Sequence, residues 1–290
     1  MSSFEKNILS IYGNQGEIWL KSLPNLALDI AQKYKLSKLV PVDNLSYNYV
    51  LKGFQGDYPV ILKLGLDIAR LKQEYKALKA FSGFGAAEVL AEEDGMLLLA
   101  QALPGTSLKS YFPKNDYEAT NIACNVMKRL HQAQIPESSN FANVNKYFET
   151  LNKDHNIPTQ YLNKARRMFD RLIQTSDKQV LLHGDLHHDN ILQNGKNWLV
   201  IDPKGIIAEP AYEVATFIYN PINELINTDS AKDIIKKRIT TFAKLLNLPE
   251  TKIANWCFVK VVLGWIWNIE DNLDPDCFEK LAGSFDELTP

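Results

Sequence analysis

The 290-residue chain is 46% hydrophobic and 23% charged, the profile of a soluble globular protein with room for one large domain or two ordinary ones. A net charge of −2 gives no global reason to expect a nucleic-acid partner, and three cysteines without C-x-x-C spacing argue against a disulfide framework or thiolate metal site and for a reducing compartment. With no run near the ~20 apolar residues of a membrane span, and no basic start or apolar core in MSSFEKNILSIYGNQGEIWL, a cytoplasmic protein is expected.

Helical spacing of apolar residues in LPNLALDIAQKY (23–34), with Pro24 near the start, predicts the first helix. LVPVDNLSYNYVLKGFQGDYPVILKLG then breaks short β-rich runs at Gly53, Gly56-Asp57 and Pro59, which reads as a hairpin of strands. LDIARLKQEYKALKAF (66–81) is helical, with Ile68, Leu71, Tyr75 and Leu78 on one face, and AEVLAEEDGMLLLAQALPG reads as two strands joined at Asp94-Gly95. The first hundred residues are therefore expected to form a small sheet crossed by one long helix. After Gly105, DYEATNIACNVMKRLHQA and PTQYLNKARRMFDRLIQ read as helices, and three or four more follow near the C-terminus.

Between these helical stretches lies LLHGDLHHDNILQNGKNWLVIDPKG (181–205). Asn194-Gly195 marks a hairpin, which puts Asp185 to Asn190 on the loop before it and Asp202 at the end of its second strand. His183, His187, His188 and Asp189 could ligate Zn or Fe, but the chain has only five His and no H-E-x-x-H. A polar turn without chemistry is the simplest alternative. Phosphoryl transfer fits the spacing better. It needs a carboxylate to orient or deprotonate a hydroxyl, an oxygen ligand for Mg²⁺ a few residues on, and a second carboxylate to hold the metal on the phosphates. Asp185, Asn190 and Asp202 supply these in order, and the hairpin folds the last two back towards each other. Upstream, Lys63 sits mid-strand in VILKLG, and Glu74 on the following helix is placed to pair with it. Alone, Glu74 would read equally as a surface charge. The strand-to-linker stretch LLLAQALPG offers backbone at Gln101 and Leu103 to an adenine ring, with Leu103 the donor because Pro104 has no N–H. No P-loop is present, and SGFGAAE follows a helix and lacks the third glycine of a dinucleotide fingerprint.

HGDLHHDN with IDPKG resembles the HGD-L-H-x-x-N … ID signature of the aminoglycoside phosphotransferase family, whose fold is protein-kinase-like. GEIWLKSLPNLALDIAQKYKL, LLLAQALPGTSL, IDPKGIIAEPAYEVATFIYNP and WIWNIEDN are similar in order and placement to the streptomycin 6-kinases of the aminoglycoside/hydroxyurea resistance group. The resemblance implies an α+β, bilobal fold. Its N-lobe (1–103) would be a small antiparallel sheet with one long helix, binding nucleotide. Its C-lobe (104–290) would be larger, mostly helical, and carry the catalytic loop and the acceptor site. ATP and Mg²⁺ are the implied cofactors, with Asp185 as base, Asn190 and Asp202 as metal ligands, and Lys63 with Glu74 on the phosphates. NLSYNYVLKG stands where a nucleotide-covering loop belongs, so Ser46 and Asn48 are expected phosphate contacts. Gly184 and DPK replace the Arg of H-R-D and the Phe-Gly of D-F-G, which argues against a phosphorylation-switched activation loop and a protein substrate. Asp189 stands where many streptomycin kinases have Gly, and Lys204 could neutralise the transferred phosphate or be a surface lysine.

The expected activity is ATP-dependent phosphorylation of a hydroxyl on a small, cationic, polyhydroxylated acceptor such as streptomycin. From Gly205 to the C-terminus, 13 Asp/Glu stand against 8 Lys/Arg, a net of −5 that leaves +3 for residues 1–204. Glu209, Glu213, Glu224, Glu270 and Asp271 are the expected carboxylates for guanidinium or ammonium groups. Two alternatives stay open: a housekeeping kinase for an amino alcohol, sugar amine or nucleoside, and a nucleotide-binding protein without turnover. Oligomeric state is not legible in the sequence.

Overall fold

The computed structural model describes all residues except 44, 138, 139, 177, 272 and 290. Its N-terminal part is built on strands β1 (Leu36–Pro41), β2 (Tyr49–Gln55), β3 (Tyr58–Leu64), β4 (Val89–Glu93) and β5 (Met96–Ala100). They pair antiparallel in the order β1-β2-β3-β5-β4. Side chains alternate between faces along a strand, so each strand feeds two cores. Leu62 and Leu64 of β3, with Met96 and Leu98 of β5, pack on helix α1 (Ser3–Tyr34) through Phe4, Ile8, Trp19 and Leu23. Ile61, Leu97 and Leu99 point the other way, towards Leu71 and Leu78 of α2 (Ile68–Ala80). Lys63 belongs by the same alternation to the α2 face.

The sheet is thus covered by two helices where the sequence reading has one crossing it. The first of these begins some twenty residues before the expected start. Ser2 and Glu5 form a capping box at its N-terminus, while Gly13, at φ +53° and ψ −127°, interrupts the helical period between Ile8 and Trp19. Pro24 lies inside this helix rather than at its start, and Lys35 in the left-handed conformation ends it.

The chain then enters β6 (Pro104–Ser107), α3 (Asp116–Leu130), β7 (Ala142–Asn143), α4 (Asn145–Phe148), α5 (Thr159–Gln174) and β8 (Val180–Leu182). The expected hairpin is β9 (Ile191–Asn194) with β10 (Asn197–Val200), followed by β11 (Ile206–Ala208). Helices α6 (Pro210–Ile218), α7 (Ile222–Ile226), α8 (Ala231–Leu246), α9 (Glu250–Glu270) and α10 (Asp276–Asp286) complete the fold. Strand β6 pairs with β9, and β11 lies between β7 and β8, so two small sheets clamp the 183–205 segment from both sides. Helix α9 is buried almost all round from Ile253 to Ile266, the pattern of a central core helix, with α5, α6, α8 and α10 packed about it. Among the described residues no helix is long and apolar enough to cross a membrane.

One buried charge ties this core together. Arg238 of α8 is 1% exposed; its Nε lies 3.1 and 3.2 Å from the Asp116 carboxylate, and its Nη1 donates to the carbonyls of Phe217, Ile218 and Asn220. Removing it leaves a carboxylate and three carbonyls without their donor. Arg238→Met should therefore cost about 3–5 kcal/mol in urea unfolding, and a loss below about 1 kcal/mol would show that the network does not hold the helices together.

Candidate active site

Three charges from three elements meet below the sheet. Lys63 Nζ lies 2.7 and 2.9 Å from the Glu74 carboxylate and 2.7 Å from Asp202 Oδ1. Lys63 and Glu74 are 4% and 6% exposed, so neither is a surface charge. One ammonium against two carboxylates leaves the group one negative charge in excess. Burial, with the Asp202 carboxylate adding to it, pushes the Glu74 carboxyl up to about 7 despite Lys63 beside it. Burial also works against Asp202, but there the Lys63 ammonium outweighs it and holds the carboxyl below its ordinary range.

The hairpin brings Asp202 to this point. Its register runs Ile191↔Val200, and the Ile201 N–H then donates to the Asn190 carbonyl at 3.1 Å. The ladder thus reaches one residue beyond β10, so Asp202 stands two residues past the strand instead of ending it. Asp202 itself takes φ +59°, a left-handed conformation that Asp tolerates better than most residues.

The loop carrying Asp185 is held by backbone-directed bonds. Gly184 has φ +86°, and a Cβ there would lie 2.6 Å from Ile206 Cδ1, which is why no side chain occupies this position. The N–H groups of His183 and Gly184 donate to the two oxygens of Glu213 at 2.6 and 3.0 Å. His183 donates from Nε2 to the Ile201 carbonyl at 2.8 Å and accepts the Asp185 N–H at Nδ1, 3.2 Å away. Burial pushes this imidazole down to about 4, so it stays neutral and keeps that tautomer. Asn190 Nδ2 donates to the Asp185 main-chain carbonyl at 2.8 Å, which holds the Asn190 side chain against the backbone of the loop that carries Asp185. His188 stacks on Phe217 at 3.9 Å between centroids, so the three histidines do not converge on one point.

Asp185 Oδ2 is 3.0 Å from Lys204 Nζ. Burial pushes the Asp185 carboxyl up, but Lys204, with His187 behind it, more than offsets this and holds it at about 2. Lys204, open at the sequence level between phosphate and surface, is thus the partner of the expected base.

Asp185, Asn190, Asp202, Lys63 and Glu74 all line one cleft of about 850 Å³. Ser46, Asn48 and Gln101 line it too, and Ile61, Leu99, Leu192 and Leu199 give it apolar walls suited to a flat ring. The Gln101 N–H donates to the Pro59 carbonyl, leaving its own carbonyl as the group for a ligand. Leu103 departs from expectation: it is 47% exposed, does not line the cleft, and its N–H donates to Asn194 Oδ1 at 3.2 Å. An adenine contact there would require the Asn194 side chain to turn away.

The five acidic residues expected around the acceptor are not gathered. Glu209 is buried against Lys252 at 2.9 Å and the Trp256 indole N–H, and Glu213 is fully buried under the loop that carries Asp185. Glu224 pairs with Lys109 at 2.7 Å on the surface, Glu270 accepts from Thr150 at 3.0 Å, and Asp271 is exposed at the end of α9. None lines the cleft or the smaller cavity of about 60 Å³ that opens behind Asp185. Tyr147, Tyr212, Tyr219, Trp267, Lys204 and Lys260 surround that cavity. Summed charge along a segment does not say which face a carboxylate takes. The overlooked signal was Lys260, a single charge within the apolar run NWCFVKVVLGWIW.

The donor set of Asn190 and Asp202 fits Mg²⁺, which takes one or two carboxylates and completes its shell with phosphates and water. Among the described residues no three His, Cys, Asp or Glu side chains group to hold a metal without such help.

The sequence profile of the aminoglycoside/hydroxyurea antibiotic resistance kinase family matches residues 37–272. Streptomycin 3''-kinase of Klebsiella pneumoniae is 31% identical over 182 residues, 60% of this chain and 65% of that protein. Streptomycin 6-kinase of Streptomyces griseus is 22% identical over 273 residues, 90% of this chain and 88% of the relative. In fold the chain is similar to the crystal structure of aminoglycoside phosphotransferase APH(4)-Ia, with a TM-score of 0.69 at 13% identity over 92% of this chain and 98% of that one. Choline kinase LicA from Streptococcus pneumoniae follows the same fold, with a TM-score of 0.66 at 14% identity over 91% and 99% of the two chains. A mutant of the former was crystallised with ADP and hygromycin B; its TM-score is 0.60 at 13% identity, over 89% of this chain and 96% of that one.

The Asp185–Lys204 contact has a direct signature. Lys204→Met removes the cation that favours the carboxylate while leaving the burial that opposes it. The Asp185 side-chain ¹³C titration should then move upward from about 2; an unmoved titration would show that Lys204 does not set it.

Proposed function

The chain belongs to the aminoglycoside/hydroxyurea antibiotic resistance kinase family, and on that premise we propose that it transfers the γ-phosphoryl group of ATP to a hydroxyl of a small polyhydroxylated acceptor, with streptomycin the leading candidate. The observation that carries this reading is the meeting of Lys63, Glu74, Asp185, Asn190 and Asp202 around one cleft. The lobe boundary is kept at 103/104, where β5 has ended and β6 begins to pair with the catalytic hairpin.

In this reading Lys63, aimed by Glu74, holds the α/β-phosphates, and Ser46 and Asn48 cover them. Asn190 and Asp202 would hold Mg²⁺, which when bound offsets the negative charge of the phosphates. Asp185 accepts the hydrogen bond of the acceptor hydroxyl and orients its oxygen towards phosphorus. A carboxylate held at about 2 is a weak base in the ground state. That suffices, because phosphoryl transfer passes through a loose transition state in which the hydroxyl sheds its proton late. Lys204 stabilises the carboxylate until the proton arrives.

A second reading, a housekeeping kinase for a small metabolite, is supported by the likeness in fold to choline kinase. The two differ in acceptor only.

A coupled ADP-release assay with Mg-ATP across streptomycin, other aminoglycosides, hydroxyurea, choline, homoserine and fructosamines tests both. Streptomycin-dependent turnover is expected, with Asp185→Asn keeping ATP affinity but losing roughly two or more orders of magnitude in rate. Asp202→Ala should instead weaken Mg-ATP binding. Near-normal turnover in the first variant would remove Asp185 as base, and unchanged Mg-ATP affinity in the second would remove Asp202 as metal ligand.

A further inference from the structure

The cavity behind Asp185 shares Tyr147, Asp185 and Lys204 with the nucleotide cleft, so it is the continuation of that cleft past the catalytic carboxylate. Its volume of about 60 Å³ admits a few non-hydrogen atoms, since one water needs about 10–15 Å³ of such space and a drug-sized ligand several hundred. Only the reacting end of an acceptor enters it, and the remainder stays outside, where Trp267 is 37% exposed.

The chemistry of that space is not anionic. Lys260 of α9 is 7% exposed, and its Nζ donates to Thr216 Oγ1 and to the Tyr212 carbonyl at 3.4 Å, sitting 3.7 Å from the centroid of the Tyr212 ring. Two of its three N–H bonds are thereby directed, the Tyr212 ring lies against the nitrogen, and Lys260 is among the residues that line the cavity. A buried ammonium amid apolar helix neighbours is costly unless it is paired. The charge that offsets it most is Glu213, whose two oxygens are already bonded to the loop before Asp185. Burial pushes the Lys260 ammonium down to about 8 with Glu213 opposing, so it is still mostly protonated at neutral pH.

We propose that Lys260 is a specificity-determining residue of the acceptor cavity: its ammonium donates to an oxygen on the carbon next to the reactive hydroxyl, selecting acceptors with vicinal oxygens. The same ammonium repels an acceptor whose only neighbouring substituent is a cation. This rests on the assignment of Asp185 as the group that receives the acceptor hydroxyl. It defines the substrate class as polyols and hydroxy acids, and it places the cationic groups of any aminoglycoside outside the cavity. Tyr147 and Tyr219 close the sides against larger substituents.

Glycolate and ethanolamine are probes of opposite charge, and neutral ethylene glycol, whose binding should also weaken in Lys260→Met, separates recognition of the vicinal oxygen from attraction of an anion. All three are small enough to enter, and the first two differ in whether oxygen or a cation neighbours the hydroxyl. Saturation-transfer NMR on the protein with Mg²⁺ and a non-hydrolysable ATP analogue should show glycolate binding that streptomycin displaces, and no ethanolamine binding; that contrast needs no variant. Lys260→Met should weaken glycolate at least tenfold, with nucleotide affinity within about twofold of wild type. Lys260→Gln, which keeps a donor of similar size, should fall between and decides the matter if the Met variant does not fold. Equal binding of both probes, no glycolate binding to wild type, or undiminished glycolate binding in the variants would each overturn the proposal. Absence of ADP release with every acceptor would instead remove the kinase reading, while the probe contrast still decides the role of Lys260.

Discussion

The bond from Lys63 to both Glu74 and Asp202 is the constraint on which the site depends. It joins a strand, the helix over that strand and the segment after the hairpin, so the cleft is complete only when these elements are in register. Buried ion pairs are weak sources of stability, because desolvation consumes most of the Coulomb gain. What this one contributes is position. An ammonium 2.7 Å from carboxylates on both sides has little freedom to turn elsewhere. Two carboxylates against one ammonium also prepare the place where a divalent cation and phosphates would balance one another.

Around that point the fold supports the loop that carries Asp185 from behind. Glu213 takes two consecutive backbone N–H groups, and His183 ties the loop to the hairpin end. The positive φ of Gly184 lets Asp185 leave the strand direction without a side chain striking Ile206. Asp185 is therefore held by backbone geometry and charged by Lys204, and its placement does not depend on the acceptor.

The sheet with α2, the hairpin and the five residues around the cleft were legible in the sequence because short-range rules govern them. Strand alternation puts Lys63 on the α2 face, and Asn194-Gly195 sets the register that returns Asp202 to Asn190. The first half of α1 was not legible, since Gly13 breaks its period and its buried residues are sparse. Nor was the acceptor side. Tyr147, Lys204, Tyr219 and Lys260 come from separate segments, and the acidic residues counted there pair with Lys252 and Trp256, brace the loop or lie at the surface. Leu103 was misjudged because a side chain far along the chain, Asn194, takes its N–H.

The most direct measurement is ³¹P NMR of the products formed from Mg-ATP and streptomycin. The account predicts ADP together with a new phosphomonoester resonance that co-purifies with the acceptor, in equal amounts. ADP with inorganic phosphate alone, or no consumption of ATP while the nucleotide still binds, would contradict transfer to a hydroxyl of this acceptor.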